Sequence, residues 1–340
     1  MLEVLKKKIK IINKSKKIKV FYFGSTVKKE SNNFYLTEIK ENRKFIYFGA
    51  VIFNNYHAKQ IAKIIDGNVD LALIDIEKKI LSKRKSVLIN IERSVKDVLI
   101  NTKIFTYKGN DLTVQACETL INYLYIKDVR GVGGKKILVL GSGNIGFKIS
   151  QKLVESGGSV YMYRRNQTIL DKAVFTINAL SPKATVAKAK KVKSIERNLN
   201  KYDLIIGTTN GKPLINKEHI QKLKKNIIII DVGKGIFNKD ALNLAINKNM
   251  SLHRLDITPA YDGYLENVYS TQKLNNTNLI KSKIIHNIKI VKRGVLSQAG
   301  TVIVDNVKIP KKIYGISDGK GSFKKTNKKK ISIIKKLIFK

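Results

Sequence analysis

One stretch constrains this chain more than any other: Lys136-Ile137-Leu138-Val139-Leu140-Gly141-Ser142-Gly143-Asn144-Ile145-Gly146. The apolar run predicts a buried strand. After the glycines, Ile145, Ile149 and Leu153 recur every four residues, which predicts a helix from Asn144 to Glu155. In a strand–turn–helix unit each glycine has its own task. Gly141 permits the tight turn out of the strand, Gly143 lets the backbone approach a pyrophosphate, and Gly146 lets the helix pack closely on the sheet. Free amides at the helix start, and its dipole, would hold the negative charge. Gly141, Ser142, Gly143, Asn144, Ile145 and Gly146 are therefore the candidate cofactor turn; the alternative is a glycine-rich turn that holds no nucleotide. A Walker phosphate loop is excluded, because it needs lysine where Phe147 stands.

Around this turn the pattern is regular. Strands are expected at 136–140, 159–163, 184–187, 203–207, 227–232 and 252–257, with further helices at 217–225 and 239–249, each preceded by a capping asparagine. Alternating strands and helices specify a doubly wound parallel sheet. Three glycines in Arg130-Gly131-Val132-Gly133-Gly134 mark a joint before it. Before the joint lies a smaller α/β region, with strands expected at 19–23, 44–48, 70–76 and 87–91 and helices at 56–65 and 112–124. The expected class is α/β: an N-terminal α/β domain over 1–128 for substrate and catalysis, a Rossmann domain over 129–310, and a basic tail over 311–340.

The end of the second strand of the Rossmann region discriminates between cofactors. Domains that take NAD place a carboxylate there for the ribose hydroxyls. Here the chain reads Tyr163-Arg164-Arg165-Asn166-Gln167-Thr168, without one. Two guanidiniums suit a 2′-phosphate, so NADP is expected over NAD, with Arg164 and Arg165 as ligands; a solvated basic turn is the other reading. Thr208, Thr209 and Asn210 end the fourth strand and Gly233 follows the fifth. Small residues there leave room for the nicotinamide half.

Composition narrows the function classes. With 67 Lys and Arg against 25 Asp and Glu the net charge is +42. The excess is mostly lysine, spread along a chain rich in Ile and Asn and without Trp, the usage an AT-biased genome produces. A solvated basic surface is expected, and nucleic acid is not the expected partner. The single cysteine, Cys117, excludes an intramolecular disulfide and any Cys-built metal site, and the four histidines lack metal-ligand spacing. No stretch approaches the ~20 apolar residues of a membrane helix. A cytoplasmic protein with a small-molecule substrate and no bound metal is expected; the oligomeric state stays open, a homodimer among the alternatives.

Three features together resemble the shikimate dehydrogenase and glutamyl-tRNA reductase type: a smaller N-terminal domain before a Rossmann domain, the basic turn at 164–168, and Asp203-Leu204-Ile205-Ile206-Gly207-Thr208-Thr209. The resemblance covers mainly residues 111–235. Arg164 to Thr168 is similar to the Asn-Arg-Thr turn by which shikimate dehydrogenases hold NADP. Gly294 to Ala299 loosely resembles their late Gln-containing helix. Their N-terminal Ser-x-Ser and Pro-x-Lys segments are not found, and Cys117 does not stand where the tRNA reductases keep a catalytic cysteine. The resemblance implies a two-domain NADP-dependent oxidoreductase moving a hydride between a nicotinamide and a small, anionic carbonyl or hydroxyl substrate. A Rossmann protein that only senses NADP(H), or one associated with nucleic acid, is the alternative.

Hydride transfer needs a proton donor and a cation to orient an anionic substrate. Lys108 and Asp111, at the start of the linking helix, are candidates, unless Asp111 merely caps that helix and Lys108 is surface. Asp256, within His253-Arg254-Leu255-Asp256, is the third candidate, on a loop that Pro259 and Gly263 are expected to shape. His57 and Cys117 read as core residues.

Overall fold

Two parallel sheets in succession organise the first 262 residues. The computed structural model describes residues 1–26, 28–83, 88–195, 199–209, 211–276 and 282–339, in two units, Met1–Asp262 and Gly263–Lys340. Helix α1 (Leu2–Asn13) precedes β1 (Ile18–Gly24) and β2 (Phe45–Val51). Then come α2 (Asn55–Ile65), β3 (Leu71–Asp75), α3 (Ile91–Lys96) and β4 (Lys103–Tyr107). The parallel strands lie in the order β2-β1-β3-β4, with Tyr35–Leu36 and Lys40–Glu41 added antiparallel along β2. Strand order reverses between β1 and β3, so their carboxyl ends flank the crevice where doubly wound sheets hold ligands.

The second sheet is built from β5 (Lys136–Leu140), α5 (Asn144–Glu155), β6 (Ser159–Tyr163), α6 (Gln167–Leu180), β7 (Ala189–Val192), β8 (Leu204–Gly207), α7 (Lys217–Gln221), β9 (Ile228–Asp231), α8 (Lys239–Asn247) and β10 (Ser251–Arg254), after the linking helix α4 (Gly109–Leu124). Its order is β7-β6-β5-β8-β9-β10, all parallel. That is the 3-2-1-4-5-6 arrangement of a dinucleotide-binding sheet, with its crevice between β5 and β8. Strands β5 and β8 bury Ile137, Val139, Leu204 and Ile206 on one face and Leu138, Leu140 and Ile205 on the other. Such apolar runs are what a sheet covered on both sides requires.

Two helices join the sheets. Helix α4 begins at the carboxyl edge of the first sheet and buries Val114, Cys117 and Ile121 in the core of the second, beside Ile149 and Leu153 of α5. Burial pushes the Cys117 thiol up to about 12, so it packs as an inert apolar group. The return connection is α9 (Thr258–Asn276). Its first turn sets Tyr261 among Tyr22, Tyr47 and Tyr107, with ring centroids 4.8, 5.6 and 5.7 Å away. Asp262 accepts hydrogen bonds from Asn42 Nδ2 at 2.8 Å and the Tyr47 hydroxyl at 2.9 Å.

Several local expectations are corrected. The strand expected at 184–187 forms instead at Ala189–Val192, paired parallel to β6 at the sheet edge. At 87–91 Val87 lies outside the described residues, and Ile91 opens α3, whose amide at Arg93 is capped by Asn90. The loop expected around Pro259 and Gly263 is helix, since proline is tolerated in a helix's first turn. Helix α4 starts three residues earlier than its expected start at Leu112, with Lys108 rather than Asp111 at the N-cap. Further along, β11 (Ser282–Ile285) and β12 (Ile288–Lys292) form a hairpin, turned by His286 and Asn287 at φ +45° and +60°. With β13 (Val302–Val304) and β14 (Ile313–Ile316) it forms a separate four-stranded sheet in the second unit, covered by α10 (Lys328–Ile338).

Asp66 closes α2 onto the approach to β4 by accepting from the amides of Ile100, Asn101 and Thr102 at 2.9–3.2 Å. Burial opposes ionisation, but these bonds outweigh it and hold the carboxyl below its usual range. Asp66→Ala is expected to destabilise the chain by about 1–3 kcal/mol. Because the folded-state pKa is depressed, that contribution is present above about pH 4 and fades as pH falls through the folded value. Urea melts of both proteins across that range measure it: the difference between them should shrink with acidification.

Candidate active site

The glycine turn lies in the crevice of the second sheet. Gly141 takes φ +104°, a conformation that side chains disfavour. A Cβ on Gly146 would stand 1.9 Å from the Gly141 carbonyl oxygen and 2.6 Å from Thr208 Oγ1, so only glycine lets α5 start against the strand. Gly143, the N-cap of α5, faces open space, with no atom within 4 Å of an added Cβ. Thr208 ties the crevice shut at its base: its amide donates to the Leu140 carbonyl at 2.8 Å and its hydroxyl to the Gly141 carbonyl at 2.6 Å. Ser142 Oγ is buried without a hydrogen-bond partner among the described residues. An open approach at Gly143, free amides at the start of α5 and this unused hydroxyl fit a pyrophosphate.

Arg164 follows the last residue of β6 and donates from Nη1 to the Ser142 carbonyl, which holds the guanidinium across the mouth of the turn. Arg165 beside it is exposed, and Asn166 caps α6 by accepting from the Ile169 amide. Thr209 donates to the Lys212 carbonyl at 3.3 Å. Gly233 lies against the Thr209 backbone and donates to the Gly207 carbonyl at 2.9 Å. Asn210 lies outside the described residues. The structure thus brings Gly141 to Gly146, Arg164, Thr208, Thr209 and Gly233 to the carboxyl ends of β5, β6, β8 and β9.

The sequence reading passed over a second cluster, at the crevice of the first sheet. Asp75 ends β3 and is buried. Its Oδ2 accepts from Lys79 Nζ at 2.8 Å and from Ser25 Oγ at 3.1 Å. Lys79 also pairs with Glu77 Oε2 at 2.7 Å, and its side chain is only 8% exposed. Both carboxylates cap α4: Asp75 accepts from the Gly109 amide at 3.4 Å and Glu77 from the Asn110 amide at 2.8 Å. Ile76-Glu77-Lys78-Lys79 reads in sequence as one more charged turn; only the reversal of strand order between β1 and β3 makes it a crevice.

The candidate catalytic residues are placed apart. Lys108 is exposed at the start of α4, on the same sheet edge as Lys79. Asp111 pairs with Lys148 of α5, which sets the first turns of α4 and α5 side by side. Asp256 is exposed and caps α9, accepting from the Thr258 amide at 2.9 Å and hydroxyl at 2.6 Å; these bonds hold its carboxyl below the usual range. Lys40 lies 3.7 Å from it. His253 contacts Ser251 Oγ at 2.8 Å.

Residues 114–280 match the model of the S-adenosyl-L-homocysteine hydrolase NAD binding domain. This is a Rossmann-type NAD(P)-binding domain. In it the chain has the nucleotide-binding architecture of the NAD(P)-dependent oxidoreductases. It is 25% identical over 230 residues to a glutamyl-tRNA reductase of Thermosipho melanesiensis, a match covering 64% of this chain and 59% of that protein. Among solved structures it is similar to D-mandelate dehydrogenase of Rhodotorula graminis, at 13% identity over 71% of this chain and 81% of that one with a TM-score of 0.34. Dipicolinate synthase A chain of Bacillus subtilis matches at 10% identity over 76% and 98%, with a TM-score of 0.36. No group of three or more His, Cys, Asp or Glu among the described residues could hold a metal ion, and no helix among them is long and apolar enough to cross a membrane.

Proposed function

We propose that this protein is an NADP-dependent oxidoreductase that transfers a hydride between the nicotinamide and a small, anionic carbonyl or hydroxyl substrate. The observation that carries it is Arg164, fixed over the glycine turn where an NAD-binding domain would offer a carboxylate. A bound nicotinamide dinucleotide supplies or accepts the hydride; the chain's own side chains handle the proton. Lys79 has three ammonium donors. Two meet Asp75 and Glu77, and among the described residues the third has no acceptor, so it is available to a substrate oxygen. As that oxygen gains charge it takes a proton from Lys79 Nζ; in the reverse direction it returns one. Ser25, donating to Asp75, keeps its lone pairs for a substrate hydroxyl. Lys108, on the same edge, supplies the cation for the anionic group, while Asp111 and Asp256 serve the chain as ion-pair partner and helix cap.

Titration with NADPH and NADH, read by nucleotide fluorescence, tests the cofactor assignment beside an Arg164→Ala/Arg165→Ala variant. NADPH affinity should fall about 10- to 100-fold, the loss of one charge-assisted contact or more, with NADH unchanged. Equal affinity of the wild-type protein for both nucleotides would sink the NADP assignment.

A further inference from the structure

The second unit, Gly263–Lys340, carries a charge pattern that genome composition does not explain. It holds 18 Lys and Arg against three Asp and Glu, whereas the first 262 residues hold 49 against 22. An AT-rich genome supplies lysine everywhere; it does not remove acids from one unit. Two of the three acids are also turned onto backbone. Asp305 accepts from the amides of Lys311 and Lys312, and Asp318 from those of Lys320 and Ser322, at 2.7–2.9 Å.

Helix α10 sharpens the point. Its cap is Asn327, accepting from the Lys329 amide, and its first turn is Lys328-Lys329-Lys330 with no acid. Cations at the positive end of a helix dipole are unfavourable. A local rule broken in this way marks a functional position. The helix is nonetheless fixed: Ile334 and Ile338 are buried in the unit's core, and the Leu337 carbonyl meets His286 Nδ1 at 3.0 Å. Between its first turns and the sheet runs a cleft of about 670 Å³, far more than one small anion fills. Lys289, Lys324, Lys325 and Lys330 line it with Gln298 and Thr326, and no acid does.

We propose that this cleft binds the phosphodiester backbone of a nucleic acid. A fixed groove whose charges all have one sign, with amide and hydroxyl groups between them, suits a repeating anion read through its backbone. A membrane surface is the poorer fit, because the four lysines line the recessed groove and not the outer side of α10, where Ile333, Leu337 and Phe339 are exposed.

The test is fluorescence anisotropy of a fluorescein-labelled single-stranded DNA of about 20 nucleotides, titrated with the full chain. With four lysines engaged, the slope of log affinity against log salt should be about −3, a loss of roughly 50-fold between 50 and 200 mM salt. Lys289→Gln/Lys324→Gln/Lys325→Gln/Lys330→Gln should weaken binding at least tenfold and flatten that slope. Lys7→Gln/Lys10→Gln/Lys14→Gln/Lys16→Gln, which removes equal charge from exposed positions at the other end of the chain, should leave both within about twofold. Equal losses in the two variants would mean that net charge alone binds the strand, and overturn the proposal. Binding to phosphatidylserine vesicles but not to the oligonucleotide would overturn it as well. Circular dichroism spectra and thermal melts that match wild type in each variant report that both units remain folded.

Discussion

Alanine at Gly146 is expected to abolish nucleotide binding and to lower the melting temperature by several degrees. The added Cβ would sit 1.9 Å from a backbone carbonyl oxygen, and no rotamer can relieve that. Either α5 moves off the strand or the turn at Gly141 opens, and each breaks the seat for a pyrophosphate. Overpacking of this kind costs about 3 kcal/mol or more where the obstacle is backbone, which corresponds to a drop of roughly 6–12 °C in a unit of this size. Gly143→Ala is the informative partner. Its Cβ meets nothing in the protein, so thermal stability should change little while NADPH affinity falls at least about tenfold, because the methyl stands on the phosphate's approach. Thermal melts with NADPH titrations decide it: a Gly143→Ala protein that binds NADPH as well as wild type removes the pyrophosphate from this turn.

Lys79→Met is expected to lower turnover by about 10²- to 10⁴-fold, the usual worth of a positioned proton donor, with NADPH affinity unchanged. The first requirement is a reaction to follow, and NADPH oxidation with glyoxylate, pyruvate, 2-oxoglutarate and succinic semialdehyde supplies the screen. Lys79 also has a structural duty, since removing it leaves Asp75 and Glu77 without their cation, and breaking a buried pair costs about 3–5 kcal/mol. Asp75→Asn/Lys79→Met takes away one of the stranded charges and should recover part of the melting temperature without recovering turnover. Lys79→Arg keeps the charge and should keep the stability. It should shift the pH dependence of kcat upward, because a guanidinium gives up its proton only at far higher pH. Turnover of Lys79→Met within a few-fold of wild type, on any carbonyl the wild type reduces, would return the cluster to a helix-capping role.

Much of the nucleotide half was legible from residues alone. Helix α5 spans Asn144 to Glu155 as its four-residue period and the glycines at either end require, and β5 and β6 fall where their apolar runs place them. These signals are local: a strand period, a helix period and a turn each reside within about a dozen residues. Weaker signals slipped. Strand β7 reads Ala189-Lys190-Lys191-Val192, with both lysines exposed at the sheet edge, and carries too little apolar character to be found. Helix α6, from Gln167 to Leu180, buries only Leu170 and Ile177 and so shows no sharp apolar stripe in its sequence.

What only the tertiary structure decided is the adjacency of distant segments. Ser25, Asp75 and Lys79 lie on two stretches some 50 residues apart, and no periodicity links them; they meet because β3 pairs with β1 rather than with β2. Tyr261 belongs to the first sheet's aromatic cluster, though its chain has just left the second sheet. Asp111 faces Lys148 and not Lys108, because α4 and α5 pack side by side. Sequence determined which segments are strands, helices and anion-holding turns, since those depend on near neighbours. Strand order determined which charged side chains share a crevice, because that depends on which non-local pairings bury the most apolar surface.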